Sequence, residues 1–183
     1  MRTTINKRII VVLLLFFSVS VLTYAQKKNY AAPPIKRELW DKYRKQIFVE
    51  GDTLAYKKLN KASYPEINLP YLFVMADKYH YPDAYCDVYD VLVHPYENYK
   101  VSIDTVTQKL ALSYLRKGVE LNSIKAKKRM SNLYLYGKYI NQDTILSKQL
   151  YKESCGISDS VMLENSWKKV MSEYKRHLEN KKQ

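Results

Sequence analysis

The chain has 183 residues and a formal net charge of +13, which is enough length for one domain with a buried core. The excess of basic residues favours acidic partners such as anionic lipid, acidic glycan or an acidic protein, although Lys and Tyr are also abundant in any chain from an AT-rich genome. Beyond the N-terminal segment no stretch is apolar enough to cross a bilayer, so the composition excludes a multispanning membrane protein.

The first 25 residues are typical of a secretory signal peptide. Three basic residues precede an apolar stretch of 14 residues over 9–22, and a small-residue cleavage site ends at Ala25. Because a membrane-spanning helix needs ~20 residues, we predict cleavage before Gln26 and export, to the periplasm in the simplest case. A retained membrane anchor is the alternative. Cleavage would leave a mature chain with a net charge of +10 and no membrane span.

The rest of the chain is predicted to be helical. Residues 26–34 are expected to form a flexible leader, residues 35–180 a helical domain and residues 181–183 a basic tail. Apolar residues recur at helical spacing, and Gly, Pro or N-capping residues separate the periodic segments. No segment alternates like a half-buried strand, so we predict an all-α fold with helices in antiparallel pairs. The predicted helices cover residues 35–49, 53–62, 69–80, 83–93, 105–121, 124–136, 144–155 and 160–180.

The most informative pattern is a pair of positions, twelve residues apart, that occurs four times. A Tyr or Leu near the end of one predicted helix precedes an Ala or Leu at the start of the next. The second positions follow one another at intervals of 29, 42 and 37 residues, a period typical of helical repeats. The pattern therefore predicts an α/α solenoid in which both positions serve packing. The pairs are Tyr43 with Ala55, Leu72 with Ala84, Tyr114 with Ala126, and Tyr151 with Leu163.

The segment 126–156 carries the most specific motif. A small residue opens one helix, an aromatic residue and a Gly close it, an Asp precedes the next helix, and an aromatic and a small residue end that one. These residues are Ala126, Met130, Tyr134, Gly137, Ile140, Asp143, Tyr151 and Cys155. The motif resembles a Sel-like repeat, the short α/α relative of the tetratricopeptide repeat; residues 84–118 resemble a divergent copy and residues 55–76 a truncated one. The resemblance implies a right-handed α/α solenoid of about three helix pairs with a long C-terminal capping helix.

The chain departs from the family pattern at two places. The turn of the family repeat has a second Gly, which is replaced here by Tyr139. Some family members also join two Cys residues eight positions apart, but the corresponding positions for Cys86 and Cys155 hold Lys78 and Leu163. We therefore predict that both cysteines are free, and that they are buried, because an unpaired Cys packs as a small hydrophobic residue.

Acidic and imidazole side chains recur on one predicted helix face, at Asp83, Asp87, Asp90 and His94. Carboxylates and imidazole in this arrangement could bind a divalent metal, which makes a metal-dependent hydrolase one hypothesis. The simpler interpretation is a solvated or partner-facing acidic stripe, since no Cys or His ligand motif accompanies it. No metal site and no cofactor are assigned.

The segment from His94 to Ser102 is predicted to be the longest irregular connection. Loops that exceed what a helical hairpin needs are often binding elements, and Tyr is a residue type that anchors interfaces. The alternative is that these Tyr side chains fold back as local core. Together with the preceding helix face, the segment supplies the predicted partner-binding residues: Tyr85, Asp87, Tyr89, Asp90, His94, Tyr96 and Tyr99.

Basic residues cluster over 125–129 and along the last predicted helix. An exposed charged face is the usual explanation of such clusters. Without a spaced base-reading motif we predict no nucleic-acid partner, while association with anionic surfaces stays open. The chain has no nucleophile elbow, phosphate loop, dinucleotide fingerprint or paired zinc histidines, so we predict that it is not an enzyme.

Together these patterns predict an exported helical-repeat module that binds another protein. Its sharpest form is an immunity protein that inhibits a toxin delivered between bacteria, because repeats of the family it resembles occur among such proteins. A cell-envelope adaptor or scaffold is the alternative within the same class. A metal-dependent hydrolase that uses the acidic stripe is the alternative from another class.

Overall fold

The computed structural model describes residues 36–62, 68–156 and 158–180, which form helices and connecting turns without strands. The predicted signal peptide with its cleavage site between Ala25 and Gln26, the leader and the basic tail lie outside the described residues. The helix Arg37–Lys45 continues into a π-helical segment, Gln46–Glu50, and the helix Leu69–Phe73 continues into another, Val74–Lys78. The eight helices are α1 (Arg37–Lys45), α2 (Thr53–Ala62), α3 (Leu69–Phe73), α4 (Pro82–Asn98), α5 (Thr105–Glu120), α6 (Ile124–Tyr136), α7 (Thr144–Cys155) and α8 (Ser160–Asn180).

Capping side chains explain where most helices begin. Four Asp carboxylates each accept hydrogen bonds from the backbone N–H groups two and three residues further on: Asp52, Asp104, Asp143 and Asp159. Three left-handed glycines, Gly51, Gly137 and Gly156, follow helical segments. The Ser123 hydroxyl caps α6 in the same way by accepting the Ala126 N–H. Helices α2, α6 and α7 begin and end at the predicted residues, and caps of this kind mark the start of each.

Helix α4 is longer than predicted and takes up half of the predicted loop. It extends to Asn98, so the prediction of an irregular segment from His94 is wrong. Pro95 lacks only its own N–H donor, and its carbonyl still accepts the Tyr99 N–H at 3.0 Å. Helical bonding therefore continues past the proline. Residues 99–102 of the predicted loop remain outside a helix, in the connection over 99–104 between α4 and α5.

The core consists of two adjoining clusters that share α4. The first joins α1 to α4 around Ile47, Leu72 and Met75, all of which are fully buried. The second joins α4 to α7 around side chains such as Leu115 and Met130. Helix α4 contributes to both clusters, so its faces are covered on several sides. Helix α8 buries Leu163 and Trp167, which belong to neither cluster.

The twelve-residue pattern joins consecutive helices. Its first positions lie in α1, α3, α5 and α7, and its second positions are buried near the starts of α2, α4, α6 and α8. A Cβ placed on Gly118 of α5 would lie 2.9 Å from the Ala126 Cβ and 3.2 Å from the Tyr85 Cβ. The small residues at these positions thus allow α4, α5 and α6 to approach each other closely.

Two details concern the departures from the family pattern. Tyr139 has a φ of 64°, in the left-handed region that favours Gly, at the position where the resemblance implies a second Gly. Cys86 and Cys155 are both free, but only Cys86 is buried. The prediction of two buried thiols is wrong for Cys155, which is the last residue of α7 and lies at an exposed helix end.

Candidate functional site

The acidic face of α4 packs against neighbouring helices. Asp87 is only 8% exposed. Its carboxylate accepts hydrogen bonds from the Tyr56 hydroxyl and, at 3.1 Å, from the Asn60 amide of α2, and from the Lys125 ammonium of α6. Asp87 therefore connects three helices and does not belong to a solvated stripe.

Asp83 and Asp90 extend this network on either side. The Ser123 hydroxyl donates to the Asp83 carboxylate at 2.6 Å, and Arg129 Nη2 lies 2.6 Å from Asp90 Oδ1. Burial raises the pKa of the Asp90 carboxyl, against the opposing effects of Arg129 and Lys125. The interpretation of a solvated stripe is wrong for Asp87, which is buried, while Asp83 and Asp90 are half-buried and contact donors of the same chain. In the part of the chain that the structure describes, no three His, Cys, Asp or Glu side chains are grouped to hold a metal ion.

A cleft of about 600 Å³ lies between α4, α6 and α8. We call it the α4–α6–α8 cleft. Helices far apart in sequence form its walls, and it carries aromatic, amide and charged groups together. Its lining residues are Tyr89, Glu97, Arg129, Asn132, Leu133, Tyr136, Gly137, Lys138 and His177.

A smaller pocket of about 230 Å³ adjoins this cleft and shares Tyr89, Glu97 and Arg129 with it. The pocket adds Asp90 and His94 from α4. The His94 imidazole lies 2.7 Å from the Asn98 amide nitrogen, one turn along the helix. The cleft and the pocket together form one continuous surface along α4.

Ion pairs and ring contacts hold the walls of the cleft. Lys138 Nζ lies 2.6 Å from Glu97 Oε1 and joins the end of α6 to α4. The Tyr136 ring contacts the rings of Tyr174 and His177 edge-on, both at 5.4 Å between centroids, and so joins α6 to α8. The cleft is therefore closed on the α8 side by aromatic contacts.

Tyr89 forms part of the wall shared by the cleft and the pocket. The residue is 2% exposed, and its hydroxyl has no hydrogen-bond partner among the described residues. Burial raises the pKa of Tyr89, so the hydroxyl stays protonated. The Arg129 guanidinium lies 6.0 Å from the centre of the Tyr89 ring. A buried hydroxyl without an acceptor is unfavourable, and such groups often mark a functional position.

The structure brings three of the predicted partner-binding residues together: Tyr89, Asp90 and His94 line the pocket. It does not do so for Tyr85, which is 5% exposed and packs its ring on Tyr114 at 5.9 Å between centroids. The predictions that Tyr85 and Asp87 face a partner are wrong, because both side chains are buried between helices and, unlike the equally buried Tyr89, line neither the cleft nor the pocket.

The two Tyr residues of the predicted loop are separated from the cleft lining. The Tyr96 hydroxyl donates to the Asp104 carboxylate at 3.1 Å, a local contact across the turn between α4 and α5. Tyr99 lies in that turn and is 78% exposed. Neither of them lines the cleft or the adjoining pocket.

Sequence reasoning missed most of the cleft. Arg129, Asn132 and Tyr136 share one face of α6 at spacings of three and four residues, and this spacing is a readable signal. Glu97 lies in the segment that the sequence predicts to be a loop, so its position on a face of α4 could not be predicted. No local pattern indicates that His177 of α8 would complete the cleft, because that depends on how the last helix docks.

Comparisons with protein-family models, with curated proteins and with solved structures find no match for this chain. None of the helices among the described residues is long and apolar enough to cross a membrane.

Proposed function

We propose that the chain is an exported helical-repeat module that binds another protein in the α4–α6–α8 cleft. The observation that carries the proposal is the composition of this cleft. Tyr136 and Arg129 are residue types enriched at interfaces. Asn132 of the same helix and His177 of α8 place hydrogen-bonding groups beside them.

The proposed architecture is a right-handed α/α solenoid of about three helix pairs, with α8 as the capping helix. Contacts between alternate helices support it. Tyr56 of α2 bonds to Asp87 of α4, Lys125 of α6 bonds to the same carboxylate, and Tyr136 of α6 packs on Tyr174 of α8. In a solenoid, such a row of alternate helices forms one continuous binding surface.

The proposed role is inhibition of a toxin, in the manner of an immunity protein. The N-terminal sequence pattern of a signal peptide supports export. The basic charge of the chain supports an acidic protein as partner. An adaptor or scaffold would use the same cleft without blocking an activity.

The binding proposal is tested by capture with the mature protein, identification of the partner, and reconstitution with the purified partner. The Asn132→Ala/His177→Ala variant should bind at least about tenfold more weakly, since truncation at an interface centre costs more than ~1 kcal/mol per anchor. The matched control is Asn165→Ala/Lys175→Ala, which changes two exposed side chains of α8 outside the cleft. Equal affinity of both variants would contradict the proposed site.

The inhibitory role needs a separate experiment. The captured partner is expressed with and without the wild-type protein. Restored growth with wild type, and none with the cleft variant, is the expected result. Binding without any effect on the activity of the partner would contradict inhibition and favour the adaptor role.

A further inference from the structure

A second cleft, of about 560 Å³, lies between α5 and the turn that follows α6. We call it the basic cleft. It shares no residue with the α4–α6–α8 cleft, so its role is independent of the function proposed there. Its lining residues are Gln108, Lys109, Leu112, Arg116, Tyr134, Tyr139, Ile140 and Asn141.

The charges of the basic cleft are unbalanced. Lys109 and Arg116 are exposed, lie on one face of α5, and have no ion pair or hydrogen bond among the described residues. None of the described residues that line the cleft is acidic. This differs from the α4–α6–α8 cleft, where Glu97 neutralises Lys138. The basic cleft therefore favours a ligand with negative charge.

The floor of the basic cleft is apolar and aromatic. Tyr139 lies there with a φ of 64°, a conformation that costs an ordinary residue about 1–2 kcal/mol. The Gln108 amide holds this turn by donating to the Tyr139 carbonyl at 3.0 Å. The chain thus places a partly buried ring at a position where Gly would be free of strain. Residues held in such conformations are frequent at binding sites.

The spacing of the two cations indicates the shape of the ligand. Lys109 and Arg116 are seven residues apart, which is about 10 Å along a helix. A ligand with two anionic groups pairs with both cations at this separation, whereas one small anion would have to draw the two side chains together. In an extended peptide, side chains two residues apart lie on the same face about 7 Å from each other, and side chains four residues apart lie about 13 Å from each other. Lys and Arg side chains are long and flexible enough to reach carboxylates at either spacing.

We propose that the basic cleft binds an extended acidic segment of a partner protein. Carboxylates of the segment pair with Lys109 and Arg116, and an apolar or aromatic side chain between them packs on Tyr134 and Tyr139. The site differs from the predicted partner-binding residues, none of which lines it.

The test uses two labelled peptides of equal length, one of alternating Glu and Ser and one of alternating Gln and Ser, in both of which Phe replaces the central Glu or Gln. Binding is measured by fluorescence anisotropy at physiological salt. Wild type should bind the Glu peptide at least about tenfold more tightly than the Gln peptide. The Lys109→Gln/Arg116→Gln variant should lose about tenfold in affinity for the Glu peptide, which corresponds to two exposed ion pairs.

The charge-matched control is Lys168→Gln/Lys175→Gln on α8, where both side chains are exposed and outside the basic cleft. It should retain the affinity of wild type, whereas an equal loss in this control would overturn the inference in favour of unspecific attraction. Tyr139→Asn tests the floor without a change in charge, because Asn tolerates the left-handed turn. It should weaken binding several-fold, and unchanged affinity would overturn the aromatic part of the proposal.

A membrane surface is the competing source of negative charge. Sedimentation with phosphatidylglycerol vesicles is measured for wild type and for Lys109→Gln/Arg116→Gln. If only wild type sediments and the two peptides bind equally, the cleft is a lipid site and the peptide inference is wrong. If the Glu peptide binds but the captured partner of the α4–α6–α8 cleft is unaffected by the basic-cleft variant, the two proposals stand separately.

Discussion

Tyr56 and Tyr89 form a natural comparison at the scale of single residues. Both residues are 2% exposed, but among the residues that the structure describes only the Tyr56 hydroxyl has an acceptor, the Asp87 carboxylate. Hydrogen bonds to charged groups contribute more than neutral ones, whereas a buried hydroxyl without a partner keeps its full desolvation cost. The same chemical change should therefore have opposite effects at the two positions.

Removal of the two hydroxyls tests this difference. Tyr56→Phe should lower the free energy of unfolding by about 2 kcal/mol, and Tyr89→Phe should leave it unchanged or raise it by up to about 1 kcal/mol. Urea-induced unfolding followed by far-ultraviolet circular dichroism provides the measurement. A loss at Tyr89 as large as that at Tyr56 would mean that the Tyr89 hydroxyl has an acceptor in solution. If binding to the partner also weakens in Tyr89→Phe, the unpaired hydroxyl serves the site.

At the scale of helices, the sequence predicts best where the signals are local. The Asp143 carboxylate caps the start of α7 and Gly156 follows its end, so both ends of this helix lie at the predicted residues. The end of α4 does not follow from a local signal, because Pro95 ordinarily disfavours helix. Residues 94–98 belong to neither core cluster, but Glu97 pairs with Lys138 beyond α6, a contact between parts of the chain that are distant in sequence.

The same reason explains why the site was only partly predicted. Spacing along one helix could place Tyr89, Asp90 and His94 on neighbouring faces. It could not show that Asp87 turns toward Tyr56, 31 positions earlier in the chain. Contacts between distant helices depend on docking angles, which the local pattern does not contain.

The cap of α5 should make part of the stability depend on pH. Hydrogen bonds from Thr107 hold the pKa of Asp104 at about 2, below its usual value of 3.8. Since the folded-state pKa is lowered, the cap stabilises the protein above about pH 4 and loses its contribution as the pH falls toward 2. Asp104→Asn keeps an N-capping side chain that does not titrate.

The measurement is the free energy of unfolding of wild type and Asp104→Asn between pH 2 and pH 7. Wild type should be the more stable at neutral pH, and the difference should shrink as the pH falls below about 4. Because other carboxylates titrate equally in both proteins, they cancel in the difference. A difference that stays constant over this range would contradict the lowered pKa.

Close packing of three helices around Gly118 gives a second prediction at this scale. Gly118→Ala improves helix propensity by about 1 kcal/mol, but the added Cβ would meet the Cβ atoms of Ala126 and Tyr85 at 2.9 and 3.2 Å. Overpacking typically costs about 1–3 kcal/mol, and the Cβ atoms cannot move without their helices. Thermal unfolding should show a lower midpoint for Gly118→Ala. Ser113→Ala, an exposed position of the same helix, should be neutral or slightly stabilising, and an increase at Gly118 would contradict the close approach.

At the scale of the whole molecule, the two hydrophobic clusters follow one another along the chain, and a network of charged side chains lies where they meet. The first cluster joins α1 to α4, the second joins α4 to α7, and α8 is attached separately. Lys125 and Arg129 of α6 neutralise the acidic face of α4, so the network lies across the junction of the two clusters. Each group of helices thus packs mainly on the group that follows it in the chain. In a solenoid, this kind of packing allows the segments to unfold one after another.

The two tryptophans allow a direct test of that behaviour, since they lie at opposite ends of the described helices. Trp167 of α8 is 8% exposed and packs on Tyr151 of α7 at 5.6 Å between ring centroids, while Trp40 of α1 packs on the first cluster. Truncation of a buried Trp costs about 3–5 kcal/mol. In a solenoid that cost falls on the adjoining helices, so Trp167→Ala should speed hydrogen exchange in α7 and α8 and leave α1 to α3 protected. Trp40→Ala should do the reverse. Uniform acceleration along the chain in both variants would show a single cooperative unit and contradict the proposed solenoid.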